Sequence, residues 1–183
     1  MVENLDPPMK TRLNSHSAGV KRLLLFAAAL IPCAAFALDP AQPKNELLLL
    51  GGVADIRRSE TLPFGAIEAR FAENWYGIHP YAQFGAESGG SVFGGGGLLY
   101  NFSLPDKWKD IRLTLGTGPG IYHHNGAAIN LGYAVEFLSW VELSTKIMGR
   151  RVGVSLSHIS NAHLSRHNPG LDGINMSIVA LTW

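Results

Sequence analysis

At 183 residues and a formal net charge of +1, the chain carries no excess of either sign and no basic footprint of the kind that tracks a nucleic acid. A single cysteine excludes an internal disulfide framework and a thiolate metal site. The size is that of one domain behind a short leader.

Residues 1–37 read as a secretory signal. Lys10, Arg12, Lys21 and Arg22 precede the apolar run Leu23 to Cys33, and Ala35-Phe36-Ala37 supplies a small-x-small cleavage pattern. Cleavage after Ala37 is expected, leaving residues 38–183 as a single near-neutral domain. Met9 followed by Lys10 offers an alternative start. The apolar run is too short for a transmembrane helix, which needs about 20 residues, and no later segment is long and apolar enough to span as one. Cys33 stands where a lipoprotein cysteine would, but Pro32 just before it fits that processing poorly. Its loss with the signal leaves no cysteine behind.

Beyond the signal the pattern is apolar alternation broken by turn residues, with no convincing helical period. Strands are expected at 46–57, 64–73, 76–87, 90–102, 110–122, 131–143, 150–160 and 172–183. An even number of segments near the ~9–11 residues that cross a bilayer when tilted predicts an all-β fold, an eight-stranded antiparallel transmembrane β-barrel. In the fourth strand the run Gly94-Gly95-Gly96-Gly97 suits a bend or a tightly filled interior. It is no phosphate cradle, because no Lys-Ser/Thr and helix follow it.

The fifth and sixth strands show two faces. Ile111, Leu113, Leu115 and Ile121 oppose Arg112, Thr114, Gly116, Gly118 and Gly120; Leu131, Tyr133, Val135, Phe137, Val141 and Leu143 oppose Gly132, Ala134, Glu136 and Glu142. In a small outer-membrane barrel the second face is the lumen, and Arg112, Arg151, Glu136 and Glu142 become lumen charges that must pair. In the eighth strand Ile174, Met176 and Ile178 have one parity and Val179, Leu181 and Trp183 the other, so pattern alone leaves its outward face unassigned. Trp75, Tyr76, Trp108 and Tyr133 suit an interfacial belt.

The seventh strand reads Val152-Gly-Val-Ser-Leu-Ser-His158-Ile-Ser160-Asn161. Val152, Val154, Leu156, His158 and Ser160 share a face, so a base and a hydroxyl end an apolar stripe that meets lipid. With both termini periplasmic, this stripe ends at the cell surface, beside an extracellular loop over 161–170. Ser160 needs a base to take its proton, and His158 lies about 6.5 Å away along the strand. Asp172 opens the adjacent strand on the same parity as Ile174 and can orient the imidazole. Asn161 and Asn168 flank the pair; either side chain, or the amide after the serine, can supply oxyanion donors.

The run His158-Ile-Ser160-Asn161-Ala162, followed by Asn168-Pro-Gly170-Leu-Asp172 and a last strand, resembles the lipid A 3-O-deacylases of the PagL family. The likeness is strongest over residues 150–183; the remainder matches in size and strand pattern. It implies an outer-membrane barrel of a Gram-negative bacterium, its site near the outer leaflet, hydrolysing the ester-linked 3-hydroxyacyl chain at the 3-position of lipid A in lipopolysaccharide. Carried over by position, Ser160 is the nucleophile, His158 the general base and Asp172 the acid, with the Asn161 amide and the Asn168 side chain as oxyanion hole. Asp172 stands where a well-known member has glutamate, one methylene longer. Glu136 and Glu142 are poor substitutes because their parity points inward.

No cofactor and no metal are implied. His163 and His167 lie in a loop with Asn168-Pro-Gly, where helical ligand spacing does not apply, and His123 and His124 read as a surface turn with Asn125-Gly126. The expected partners are lipid A, outer-membrane lipids and, during biogenesis, the barrel assembly machinery, to which Trp183 offers a C-terminal aromatic signal; a homodimer is left open, and no nucleic acid is expected. One rival is a non-catalytic small barrel serving adhesion or envelope integrity. A second is a palmitoyl transferase barrel with its acceptor site in the lumen, which the outward parity of His158 and Ser160 disfavours.

Overall fold

Alternation over the expected segments resolves, in a computed structural model, into eight antiparallel strands closed on themselves. The structure describes residues 42, 44–57, 61–104, 106–125 and 129–183; the expected signal 1–37, its cleavage point after Ala37, and Cys33 lie outside the described residues. The strands are β1 (Glu46–Ala54), β2 (Leu62–Arg70), β3 (Ile78–Glu87), β4 (Val92–Ser103), β5 (Arg112–His123), β6 (Val135–Ile147), β7 (Arg150–Ser160) and β8 (Leu171–Thr182). β1 pairs with β8, so the sheet has no free edge. A 3₁₀ turn at Asp106–Trp108 precedes β5. The described residues 55–57, 61, 88–91, 124–125, 129–134 and 161–170 connect strands at the end away from Asn45 and Trp183, called here the loop end.

The sixth strand starts at Val135 rather than 131. Gly132 adopts φ +90°, and Leu131, expected on the outward stripe, is instead fully buried beneath the loop end. Tyr133 stays exposed, as do Trp75, Tyr76 and Trp108 at the other end.

Outward side chains form an apolar wall that includes Leu49, Ile67, Phe84, Leu98, Leu115, Leu143, Val154, Leu156 and Met176, all exposed. The lumen is polar and filled. Arg70 lies at its centre: Nε donates to Glu68 at 2.6 Å, Nη1 and Nη2 donate to the two carboxylate oxygens of Glu142 at 2.9 and 3.0 Å, and the guanidinium stacks on Trp140. Ser177 donates a further bond to Glu142. Arg112 is paired with Glu46. Arg151, at the mouth near the termini, instead donates to the Asp110 and Ser144 carbonyls. Glu136 is fully enclosed, and among the described residues no cation pairs with its carboxylate. The expected pairing of lumen charges thus holds as ion pairs for Glu142 and Arg112 and not for Arg151 or Glu136.

Glycine makes this interior possible. A Cβ on Gly116 would stand 2.3 Å from the Trp140 ring, and one on Gly120 would stand 2.3 Å from Phe93. Midway along β4 and β5 the inner face is glycine, at Gly95, Gly97, Gly116, Gly118 and Gly120, so that two large rings fit inside a narrow barrel.

The two-faced eighth strand has a local cause. Leu48 pairs with Val179 while Leu47 pairs with Leu181, leaving Ala180 unopposed. This β-bulge flips the parity. Val179 is buried in the lumen, whereas Leu181 and Trp183, two residues apart beyond the bulge, are exposed.

Candidate active site

Antiparallel register places His158 of β7 directly opposite Asp172 of β8, so their Cβ atoms stand about 5 Å apart on one face. At that separation aspartate reaches the ring without the extra methylene of glutamate: Nδ1 of His158 lies 2.6 Å from Oδ1 of Asp172. With Nδ1–H donating to the carboxylate, Nε2 is left for a hydroxyl. Ser160 lies two residues further along the same outward face, half-buried and paired in register with Phe137 of β6. No hydrogen bond joins its hydroxyl to the imidazole among the described residues. Such bonds are commonly long in free enzymes and tighten with substrate bound.

The asparagines divide their work. Asn161 is fully buried, and its side-chain amide donates to the carbonyls of Leu131 and His167, both at 2.9 Å. That side chain therefore ties the segment 129–134 to loop 161–170 and cannot reach a reacting group. Its backbone N–H donates to Oδ1 of Asn168 at 3.2 Å, so the two oxyanion-hole groups inferred from sequence stand together, just past Ser160.

Gly170, with φ +67°, closes the floor. A Cβ there would lie 2.8 Å from Cε1 of His158 and 3.3 Å from Nη2 of Arg57. Arg57 had no sequence signal: it follows β1 in an ordinary basic turn, yet its Nε forms an ion pair with Oδ2 of Asp172. Sequence reading also missed Ser139, which faces His158 across the β6–β7 ladder and shares a 2.9 Å hydrogen bond with Thr117. Thr117, Ser139, His158 and Asp172 make a polar row across β5 to β8 at one level of an otherwise apolar wall. Outward parity of Thr117 and Ser139 could have revealed it. Glu136 and Glu142 are enclosed in the lumen, away from this row. His163, Arg166 and His167 are exposed in loop 161–170, and no group of three or more metal-binding side chains occurs among the described residues.

A closed eight-stranded barrel with an apolar outer wall and a polar, filled interior is the architecture of a small outer-membrane barrel, and this one carries a His-carboxylate pair on the wall itself. The solved structures similar to it include the outer membrane enzyme PagL, at 18% identity over 73% of this chain and 97% of that one with a TM-score of 0.51. They also include Neisserial surface protein A, at 9% identity over 75% and 96% with a TM-score of 0.54, and a de novo designed transmembrane β-barrel, at 9% identity over 74% and 92% with a TM-score of 0.51. Identities this low show the fold alone. No curated protein sequence matches the chain. Residues 56–180 match the family described as lipid A 3-O-deacylase (PagL), and the chain belongs to that family. It is an outer-membrane β-barrel of a Gram-negative bacterium, and its family is one of lipid A deacylases.

Proposed function

We propose that the protein is a serine esterase that removes the 3-hydroxyacyl chain from the 3-position of lipid A. The observation that carries this reading is the 2.6 Å contact of His158 with Asp172 on the same outward face as Ser160. A polar pair in a wall that faces hydrocarbon is costly, and its presence there points to a function.

In the proposed reaction the Ser160 oxygen attacks the ester carbonyl while its proton passes to Nε2 of His158, and Asp172 stabilises the resulting imidazolium. The oxyanion takes the Asn161 amide and the Asn168 side chain as donors, replacing the bond that the two residues make with each other. Collapse of the tetrahedral adduct breaks the bond to the sugar oxygen, which leaves with the imidazolium proton. Water, deprotonated by His158, then attacks the acyl-serine and frees the 3-hydroxy fatty acid. Every group required lies in the chain.

The loop end is taken as extracellular, with the termini periplasmic, which sets the site at the level of the outer leaflet. Lipid A then enters sideways from the membrane, its acyl chains lying against Leu156, Ile174 and Met176. The outward turn of Trp183 supports reading it as the signal to the assembly machinery, and residues 1–37 are read as the cleaved export signal. A non-catalytic barrel gains no support from the site.

Mass spectrometry of lipid A incubated with the refolded protein tests this. Loss of one 3-hydroxyacyl mass, abolished in Ser160→Ala, is expected. Unchanged lipid A from folded native protein would sink the esterase reading.

A further inference from the structure

Arg57 lies outside the three residues assigned to the reaction, yet three features converge to hold it against one of them. Asp55 turns the chain at the end of β1 with φ 63°. The next amide, Ile56 N–H, donates to the backbone carbonyl of Asp172 at 3.2 Å, which fixes the turn to the first residues of β8. Gly170 leaves room for the imidazole and the guanidinium to approach over the same backbone, since a Cβ there would crowd both.

We propose that Arg57 is a positioning residue for the deacylation, pairing with the far oxygen of Asp172 so that the near oxygen is held toward His158. The inference rests on the Ser160, His158 and Asp172 reading above. A short carboxylate rotates freely about its last bond, and an imidazole held by one of its oxygens is aimed only as well as that rotation is fixed. With Oδ1 on His158 and Oδ2 on the guanidinium, both ends are occupied and the carboxylate plane is set. The arrangement suits aspartate here, because the strand register already brings its Cβ close and the arginine supplies the restraint that a longer side chain would gain from packing. The arginine side chain is 46% exposed and the aspartate 18%, and Oδ2 of Asp172 is itself buried, so the guanidinium covers the oxygen that the imidazole leaves free.

The outer nitrogens of Arg57 have a second conceivable use, on a phosphate of the substrate headgroup, and the two uses separate kinetically. A clamp on Asp172 acts on the chemical step; a phosphate contact acts on binding. The experiment is steady-state kinetics on lipid A in detergent micelles with the full-length mature barrel, its folded state checked by heat-modifiable electrophoretic mobility. The proteins compared are native, Arg57→Gln, Arg57→Lys, Asp172→Asn, Arg57→Gln with Asp172→Asn, and Ser160→Ala. Expected are a kcat about 10-fold lower in Arg57→Gln with KM within about 2-fold of native, an intermediate kcat in Arg57→Lys, which keeps the charge but not the fork, and less than about 2-fold further loss when Arg57→Gln is added to Asp172→Asn. Native kcat in Arg57→Gln, a change confined to KM, or an undiminished loss in the Asp172→Asn background would overturn the inference. Activity that survives in Ser160→Ala overturns the esterase reading itself, a distinct result.

Discussion

Gly170 passes beneath His158 so closely that a methyl group at its Cα would stand 2.8 Å from Cε1 of the imidazole. The loop 161–170 therefore ends in a residue chosen for the absence of a side chain. Its φ of +67° adds about 1–2 kcal/mol of strain for any other L-residue. Gly170→Ala should displace the ring from Asp172 and lower kcat by about 10- to 100-fold while the barrel still folds. Kinetics on lipid A beside electrophoretic mobility with and without heating would show this; native kcat would mean that the ring yields without cost.

Asn161 and Asn168 should respond differently to the same truncation. Asn168→Ala removes the proposed oxyanion donor and is expected to lower kcat by about 10²- to 10³-fold with little change in unfolding. Asn161→Ala keeps the backbone amide but leaves the Leu131 and His167 carbonyls without their donor. Faster hydrogen exchange across 129–134 and 161–168 is the expected readout, with a smaller kinetic loss. Equal kinetic losses without loop opening would assign the Asn161 side chain a chemical role.

Arg70 is the cation that Glu68 and Glu142 share inside the lumen. Arg70→Met strands two carboxylates there, and breaking such a buried network costs about 3–5 kcal/mol. Urea unfolding followed by tryptophan fluorescence should show a midpoint well below native. Replacing all three residues with apolar ones of similar volume should restore much of it, and a native midpoint for Arg70→Met alone would contradict the pairing.

Gly116→Val probes the interior from the opposite direction. The added atoms collide with Trp140, and overpacking of this kind costs about 1–3 kcal/mol. Because Gly116 faces inward and the site outward, the folded fraction should keep its rate on lipid A. A proportionate fall in kcat would mean that the lumen packing is coupled to the wall.

Much of this was legible in the sequence because a barrel strand obeys a period of two. The outward stripe ending at His158 and Ser160 follows from that period, and so does the enclosure of Glu142. The juxtaposition of His158 with Asp172 was readable because the two strands are consecutive and joined by one loop. What escaped depends on breaks in the period or on partners from a distant strand. The bulge at Ala180 reverses the last strand's faces within one residue, and no local pattern announces it. Leu131 resembles a lipid-facing residue until the positive φ of Gly132 turns the chain over the loop end. Arg57 meets Asp172 only because β1 closes the sheet against β8. The pair Glu68 and Arg70 was visible in principle, since both have the inward parity of β2.

The density of the lumen has one more consequence. The cavity bounded by Arg70, Glu142, Trp140 and their neighbours leaves about 10 Å³ that a water molecule can enter, at the lower limit of what holds one. With the Arg70 network and Trp140 filling that level of the lumen among the described residues, the barrel should be electrically silent in a planar bilayer at any voltage it survives. A cell could display many copies on its surface without loosening the permeability barrier that the same lipid provides.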